Sequence, residues 1–154
     1  MTEIRVNLNQ KERNGQRGMD LMILKINDYL SDYKVITYSG AKSAIYVYDN
    51  LEKNLIEHKG DRIAIGGFKA GEVQFNDYEI KTRKGNIIYL GTDGYQDQNN
   101  YARKSFSKRR FKDLILSIAE KELSEQKIML EQRLNEYMKN TTQRDDILLM
   151  GIRV

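Results

Sequence analysis

The chain has 154 residues, 40% of them hydrophobic and 31% charged, enough for one domain with a buried core under a solvated surface. With no cysteine it can form neither a disulfide nor a thiolate metal site, and with no proline it has no proline-rich linker. Lys and Arg exceed Asp and Glu by 26 − 22 = 4, too small an excess to demand a polyanionic partner.

No stretch reaches the roughly 18 consecutive apolar residues of a membrane span. The polar segment Met1 to Arg17 carries no apolar core of the signal-peptide kind. Cytoplasmic residence is therefore the expectation.

Residues 2–11 fit a short helix, although Val6-Asn7-Leu8-Asn9 also fits a strand, and Lys11 to Gly18 reads as a loop. From Leu21 the pattern changes to short β-rich runs: Leu21 to Ile26, Lys34 to Tyr38, Ala44 to Tyr48 and Asn54 to His58. Ser39-Gly40-Ala41-Lys42 is expected to be a tight hairpin turn. Val73 to Ile80 alternates apolar and polar residues with a phase slip, which predicts a bulge near Asn76-Asp77. Asn86 to Leu90 is the next strand, after the Lys84-Gly85 turn.

The period then changes. Phe111, Leu114, Ile115, Ile118 and Ala119 recur at helical spacing and make one apolar face. Ser124 is the expected N-cap of a second helix, with Leu130, Leu134, Tyr137 and Met138 as its buried stripe. Ile147 to Val154 is almost wholly apolar and reads as a central strand buried on both faces. Strands, two helices and a closing strand give an α+β fold with helices packed on sheet.

Two segments carry chemistry. In Ile87-Ile88-Tyr89-Leu90-Gly91-Thr92-Asp93-Gly94 a strong strand runs directly into a carboxylate, and Gly94 lets the backbone turn and approach an ion closely. Arg144-Asp145-Asp146 stands just before the closing apolar run. Adjacent carboxylates repel each other, and a hard cation such as Mg²⁺ or Mn²⁺ relieves that cost with oxygen ligands. Asp93, Asp145 and Asp146 are thus the candidate metal ligands, and Gly94 the backbone position beside them. The basic cluster Lys104, Lys108, Arg109, Arg110 and Lys112 is interleaved with Phe106 and Phe111. It reads as a solvated helix start whose phenylalanines face the core, so no nucleic-acid partner is expected.

The segment Tyr89-Leu90-Gly91-Thr92-Asp93-Gly94-Tyr95-Gln96-Asp97-Gln98 resembles the Thr/Ser-Asp-Gly strand exit of metal-dependent serine/threonine phosphatases of the protein phosphatase 2C type, in the bacterial SpoIIE and RsbU branch. Asp145 to Arg153 resembles that branch's closing strand, and Gly18 to Leu21, Tyr38 to Ala41 and Ile65-Gly66 match its order of elements. The resemblance implies a β-sandwich flanked by helices that holds two Mn²⁺ or Mg²⁺ ions. In that family the ions activate a water that attacks phosphoserine or phosphothreonine on a signalling protein, commonly downstream of a sensor domain. It also implies metal-ligand roles for Asp93 and Asp145, with Asp146 beside them.

The family's first metal motifs, an Asp-Gly strand and an Asp-x-x-Gly-His-Gly segment, are missing. The single histidine, His58, stands in a different context. The chain is therefore expected to be the C-terminal part of such a domain, incomplete at its N-terminus and weakly active alone. The alternative is a non-catalytic remnant that serves as a protein-binding module.

Overall fold

The computed structural model of the chain describes residues 18–27, 33–66 and 73–154. The expectations for residues 2–17 lie outside this set. The chain divides into two compact units, Met1–Ala44 with His58–Lys84, and Ile45–Glu57 with Gly85–Val154.

The first unit is antiparallel β structure. β1 (Gly18–Met19) pairs with β6 (Ile65–Gly66), and a three-stranded sheet has the order β2 (Leu21–Asn27), β3 (Tyr33–Ala41), β7 (Asp77–Arg83). The β3–β7 ladder runs unbroken from Tyr33↔Arg83 to Ser39↔Asp77, so the expected bulge near Asn76 is absent. The phase slip arises because β7 begins at Asp77 and the alternation of Val73 and Phe75 precedes it. Ile36, Tyr38, Ile80 and Thr82 are buried in this unit.

The expected hairpin at Ser39 to Lys42 is also corrected. β3 continues through Ala41, and β4 (Ala44–Asp49) joins another sheet, so the turn links two strands that do not pair. Lys42 takes the left-handed conformation at φ 51°. Its N–H donates to the Asp61 carbonyl at 2.7 Å, and the Asp61 N–H donates to the Gly40 carbonyl at 2.7 Å. Partners distant in sequence, not a local turn signal, fix this corner.

The second unit carries a four-stranded sheet in the order β5 (Asn54–Lys59), β4, β8 (Ile87–Gly91), β9 (Leu149–Arg153). Residues on both faces of β4 and β8 are buried: Ile45, Tyr46, Val47, Tyr48, Ile87, Ile88 and Tyr89 are each at most 5% exposed. Three helices follow in the chain, α1 (Gly94–Asp97), α2 (Lys108–Ile118) and α3 (Leu123–Tyr137). Ser107 caps α2, its hydroxyl accepting from the Arg110 N–H.

Tyr46, Tyr89, Tyr95, Phe106, Phe111 and Ile115 belong to one apolar cluster. Its rings meet edge-on or tilted, Tyr95 to Phe106 at 5.1 Å and Phe106 to Tyr137 at 4.9 Å between centroids. Phe106 and Phe111 therefore face the core, as the sequence pattern requires.

Two helical details differ from expectation. Glu122 stands at the N-cap position of α3 without a side-chain capping bond, and Ser124 lies inside the first turn. Its stripe of Leu130, Leu134, Tyr137 and Met138 is half-buried, and the buried position is Gln126. The largest correction concerns β9. Among the described residues it pairs with β8 alone and ends the sheet, and Met150 within it and Leu148 just before it are 48% and 59% exposed.

Candidate metal centre

β8 delivers Thr92, Asp93 and Gly94 to the end of the second unit's sheet. α1 starts there, with Asp93 as its N-cap residue, and the Asp93 carbonyl accepts from the Gln96 and Asp97 N–H groups at 2.8 and 3.0 Å. The segment before β9 lies alongside. The Thr92 hydroxyl donates to the Asp146 carbonyl at 2.8 Å and accepts from the Leu148 N–H at 3.0 Å. The Thr92 N–H donates to the Leu148 carbonyl at 3.0 Å.

Gly94 packs so tightly here that an added methyl group would overlap the Asp146 carbonyl oxygen. The two acidic segments singled out in the sequence, 52 residues apart from Asp93 to Asp145, are thus joined by backbone and hydroxyl hydrogen bonds.

A second set of bonds holds the Asp145 loop. Gln98 is 1% exposed. Its amide donates to the carbonyls of Asn99 and Thr142 at 3.0 and 3.1 Å, and its oxygen accepts from the Arg144 N–H at 3.0 Å. Gln143 donates to the Asp145 carbonyl at 2.8 Å, and the Asp145 carboxylate accepts from the Asp146 N–H at 2.8 Å. Sequence reasoning assigned no role to Gln98. Glutamine gives no pattern of its own, and the signal would have been an uncharged amide between two loops that each need backbone partners.

The donor set of carboxylates and carbonyls suits a hard divalent cation. Among the described residues, however, no group of three or more His, Asp or Glu side chains comes together as a metal cluster. The carboxylates of Asp93, Asp145 and Asp146 are of the chemical kind such an ion takes, and they do not by themselves form a closed site. The basic cluster is largely engaged within the unit. Lys108 and Lys112 pair with Glu57, and Arg110 donates to the Tyr137 hydroxyl at 2.9 Å.

The chain matches the Stage II sporulation protein E (SpoIIE) family over residues 5–154. It belongs to the SpoIIE family. Among solved structures it is similar to the SiaA phosphatase 2C domain of Pseudomonas aeruginosa, at 30% identity and a TM-score of 0.68 over 79% of this chain and 50% of that one. The phosphatase domain of Bacillus subtilis SpoIIE matches at 12% identity and a TM-score of 0.57, over 97% and 63%. The RsbU and RsbW domains of a Mycobacterium tuberculosis protein match at 18% identity and a TM-score of 0.63, over 98% and 40%. No curated protein matches the chain by sequence.

The chain thus spans between 40% and 63% of the length of these SpoIIE-like structures. The α+β class read from the sequence, with antiparallel sheets and helices of phosphatase 2C type, is the fold found. Among the described residues no helix is long and apolar enough to cross a membrane.

Proposed function

We propose that this chain is the C-terminal portion of a Mn²⁺- or Mg²⁺-dependent serine/threonine phosphatase domain, acting in the cytoplasm on a phosphorylated signalling protein under an upstream sensor domain. The observation that carries this is the Thr92 lattice, which ties the Asp93 exit of β8 to the Asp145-Asp146 approach to β9 in a SpoIIE-family chain. Asp93 and Asp145, with Asp146 beside them, hold the cations. Gly94 permits the close approach of the two loops, and Gln98 fixes the backbone that carries Asp145.

Two bound cations supply Lewis-acid polarisation of the phosphoryl group and a water acidic enough to attack it at neutral pH. The chain's own carboxylates need only stay ionised and in place. No protein nucleophile is required, so the chain needs no cysteine and no Ser–His pair.

The test uses an assembled domain in which the missing ligands are restored. Without metal, neighbouring carboxylates repel, so Asp93→Asn and Asp145→Asn leave stability unchanged or slightly raised. With Mn²⁺ at a hundredfold excess over Kd, wild type gains about 2.7 kcal/mol from binding to the folded state, and each Asn variant loses most of that gain together with turnover. Thermal melts in EDTA and in Mn²⁺ separate the cases. Variants that keep the full metal-dependent rise would show that Asp93 and Asp145 are turn residues.

A second reading, a non-catalytic binding module, is favoured by the lack of a three-ligand cluster among the described residues. Metal-independent melts in the assembled wild type would select it.

A further inference from the structure

Residues 98–112 hold six Lys and Arg and no Asp or Glu, which leaves 26 − 6 = 20 Lys and Arg against 22 Asp and Glu in the rest of the chain. The positive charge is therefore local. Three of the six are occupied. Lys108 and Lys112 pair with Glu57, and Arg110 donates to the Tyr137 hydroxyl and lies 5.7 Å from the centre of its ring. Arg103, Lys104 and Arg109 are exposed, and none of them makes an ion pair among the described residues.

Arg103 and Lys104 stand in a turn held from several sides. Asn99 and Ser105 bridge across its base. The Asn100 N–H donates to the Lys104 carbonyl at 3.0 Å, and the Arg103 N–H donates to the Asn100 carbonyl at 2.9 Å. The Asn100 side-chain oxygen accepts from the Ala102 and Lys104 N–H groups, both at 3.0 Å. The Tyr137 hydroxyl lies 2.8 Å from the carbonyls of both Lys104 and Ser105. From this turn Tyr101 projects with 79% of its surface exposed. A turn fixed in advance loses little freedom on binding, and Tyr and Arg are the residue types that dominate contact energies at interfaces.

The turn is fastened to the candidate centre. Only α1, a single helical turn about 6 Å long, and Gln98 separate it from Asp93. Gln98 bonds the Asn99 and Thr142 carbonyls and the Arg144 N–H, so one buried side chain carries both the basic turn and the Asp145 loop. The Phe106 and Ser107 N–H groups close the far side on the Gln98 and Gln96 carbonyls, each at 2.8 Å.

We propose that Tyr101, Arg103, Lys104 and Arg109 dock the phosphoprotein substrate, gripping an acidic segment beside its phosphorylated serine or threonine. The proposal rests on the phosphatase reading above, and adds the face that selects the substrate and the chemistry by which it does so. The carboxylates of the centre repel an acidic peptide, so attraction for one has to come from cations set to the side, where these three stand. Three free cations and one ring make too short a stripe for a nucleic acid, whose binding draws on many phosphate contacts and stacked bases. A bilayer surface needs several apolar residues beside the cations, and in this turn Tyr101 is the one large apolar side chain exposed.

The probes are two short phosphoserine peptides, one flanked by Asp and Glu and the other by Asn and Gln. Each is titrated in EDTA against the full chain and followed by backbone amide shifts. EDTA keeps metal out of the measurement. The acidic peptide binds at least roughly fivefold tighter, with shifts centred on residues 99–109. R103E/K104E removes that preference, and Tyr101→Ala weakens acidic-peptide binding by roughly fivefold. K25E/K81E, an equal change of charge at exposed positions of β2 and β7, alters binding less than about twofold. R109E leaves the turn intact and places a carboxylate where the first turn of a helix favours one, so its loss of roughly threefold reports docking and not folding.

Equal affinity for the two peptides, shifts centred elsewhere, or a preference that survives both R103E/K104E and R109E overturns the proposal. Tighter binding of a single-stranded RNA or of phosphatidylserine vesicles than of the acidic peptide overturns it in favour of that partner. An intact acidic preference without a Mn²⁺-dependent gain in the assembled wild type retires the phosphatase reading and leaves the acidic-peptide seat standing. A metal-dependent gain without the preference does the reverse.

Discussion

Tyr89 shows how one side chain links the sheet to the helix beside it. It is 1% exposed, and its hydroxyl donates at 2.7 Å to the amide oxygen of buried Gln126, whose own amide donates to the Ala119 and Lys121 carbonyls. Removing the hydroxyl by Tyr89→Phe strands a buried acceptor, so a loss of about 1–3 kcal/mol is expected in urea denaturation. Burial pushes the Tyr89 phenol up to about 12 and raises Tyr95 as well. A phenol whose folded-state value is raised contributes stability fully present below its unfolded value of about 10, and loses it as pH climbs toward the folded value. Wild type should therefore weaken between pH 10 and about 12, and Tyr89→Phe should flatten part of that fall, leaving the share of Tyr95 and of Tyr38 and Tyr46, which burial also raises. Equal slopes in the two proteins would show that Tyr89 ionises as freely folded as unfolded.

At the scale of elements, the Thr92-Asp93-Gly94 exit was legible because a strand of buried β-branched and aromatic residues ends in a residue that needs space, and both signals are local. Gly94 makes this testable. It has an ordinary backbone conformation, so alanine is refused by the Asp146 carbonyl and not by φ. Gly94→Ala should push the two acidic loops apart, cost roughly 1–3 kcal/mol by overpacking, and weaken Mn²⁺ binding in an assembled domain. Unaltered melting would mean that the loops yield freely.

The corner at Lys42 was not legible, since its shape comes from Asp61 and its strands belong to different sheets. Gln98 was invisible for a related reason: its three partners are backbone groups of loops, which sequence patterns do not mark. The closing run was read correctly as a strand, but its apolar character on both faces suggested a central place. The place found among the described residues is an edge, and apolar composition marks a strand without marking its position in the sheet.

At the scale of the whole molecule, the question is how much chemistry this chain performs alone. A two-cation site gains its rate from holding both ions and the phosphoryl group in fixed relation, and misplacement by about 1 Å can cost a hundredfold. Asp93, Asp145 and Asp146 are carboxylates on two loops, and among the described residues neither these three nor any other His, Asp or Glu side chains gather into a group of three that could hold an ion. The loops are anchored by Thr92 and Gln98, so on the reading proposed above this chain would be short of ligands and not of order. The purified chain assayed with a phosphoserine peptide and Mn²⁺ should therefore turn over at least roughly a hundredfold more slowly than a domain with the remaining ligands restored. Adding the cation should also raise its melting temperature far less than it raises that of the assembled domain. EDTA-sensitive turnover equal to the assembled domain's would show that three carboxylates on these loops suffice, and that the missing motifs serve something other than metal binding.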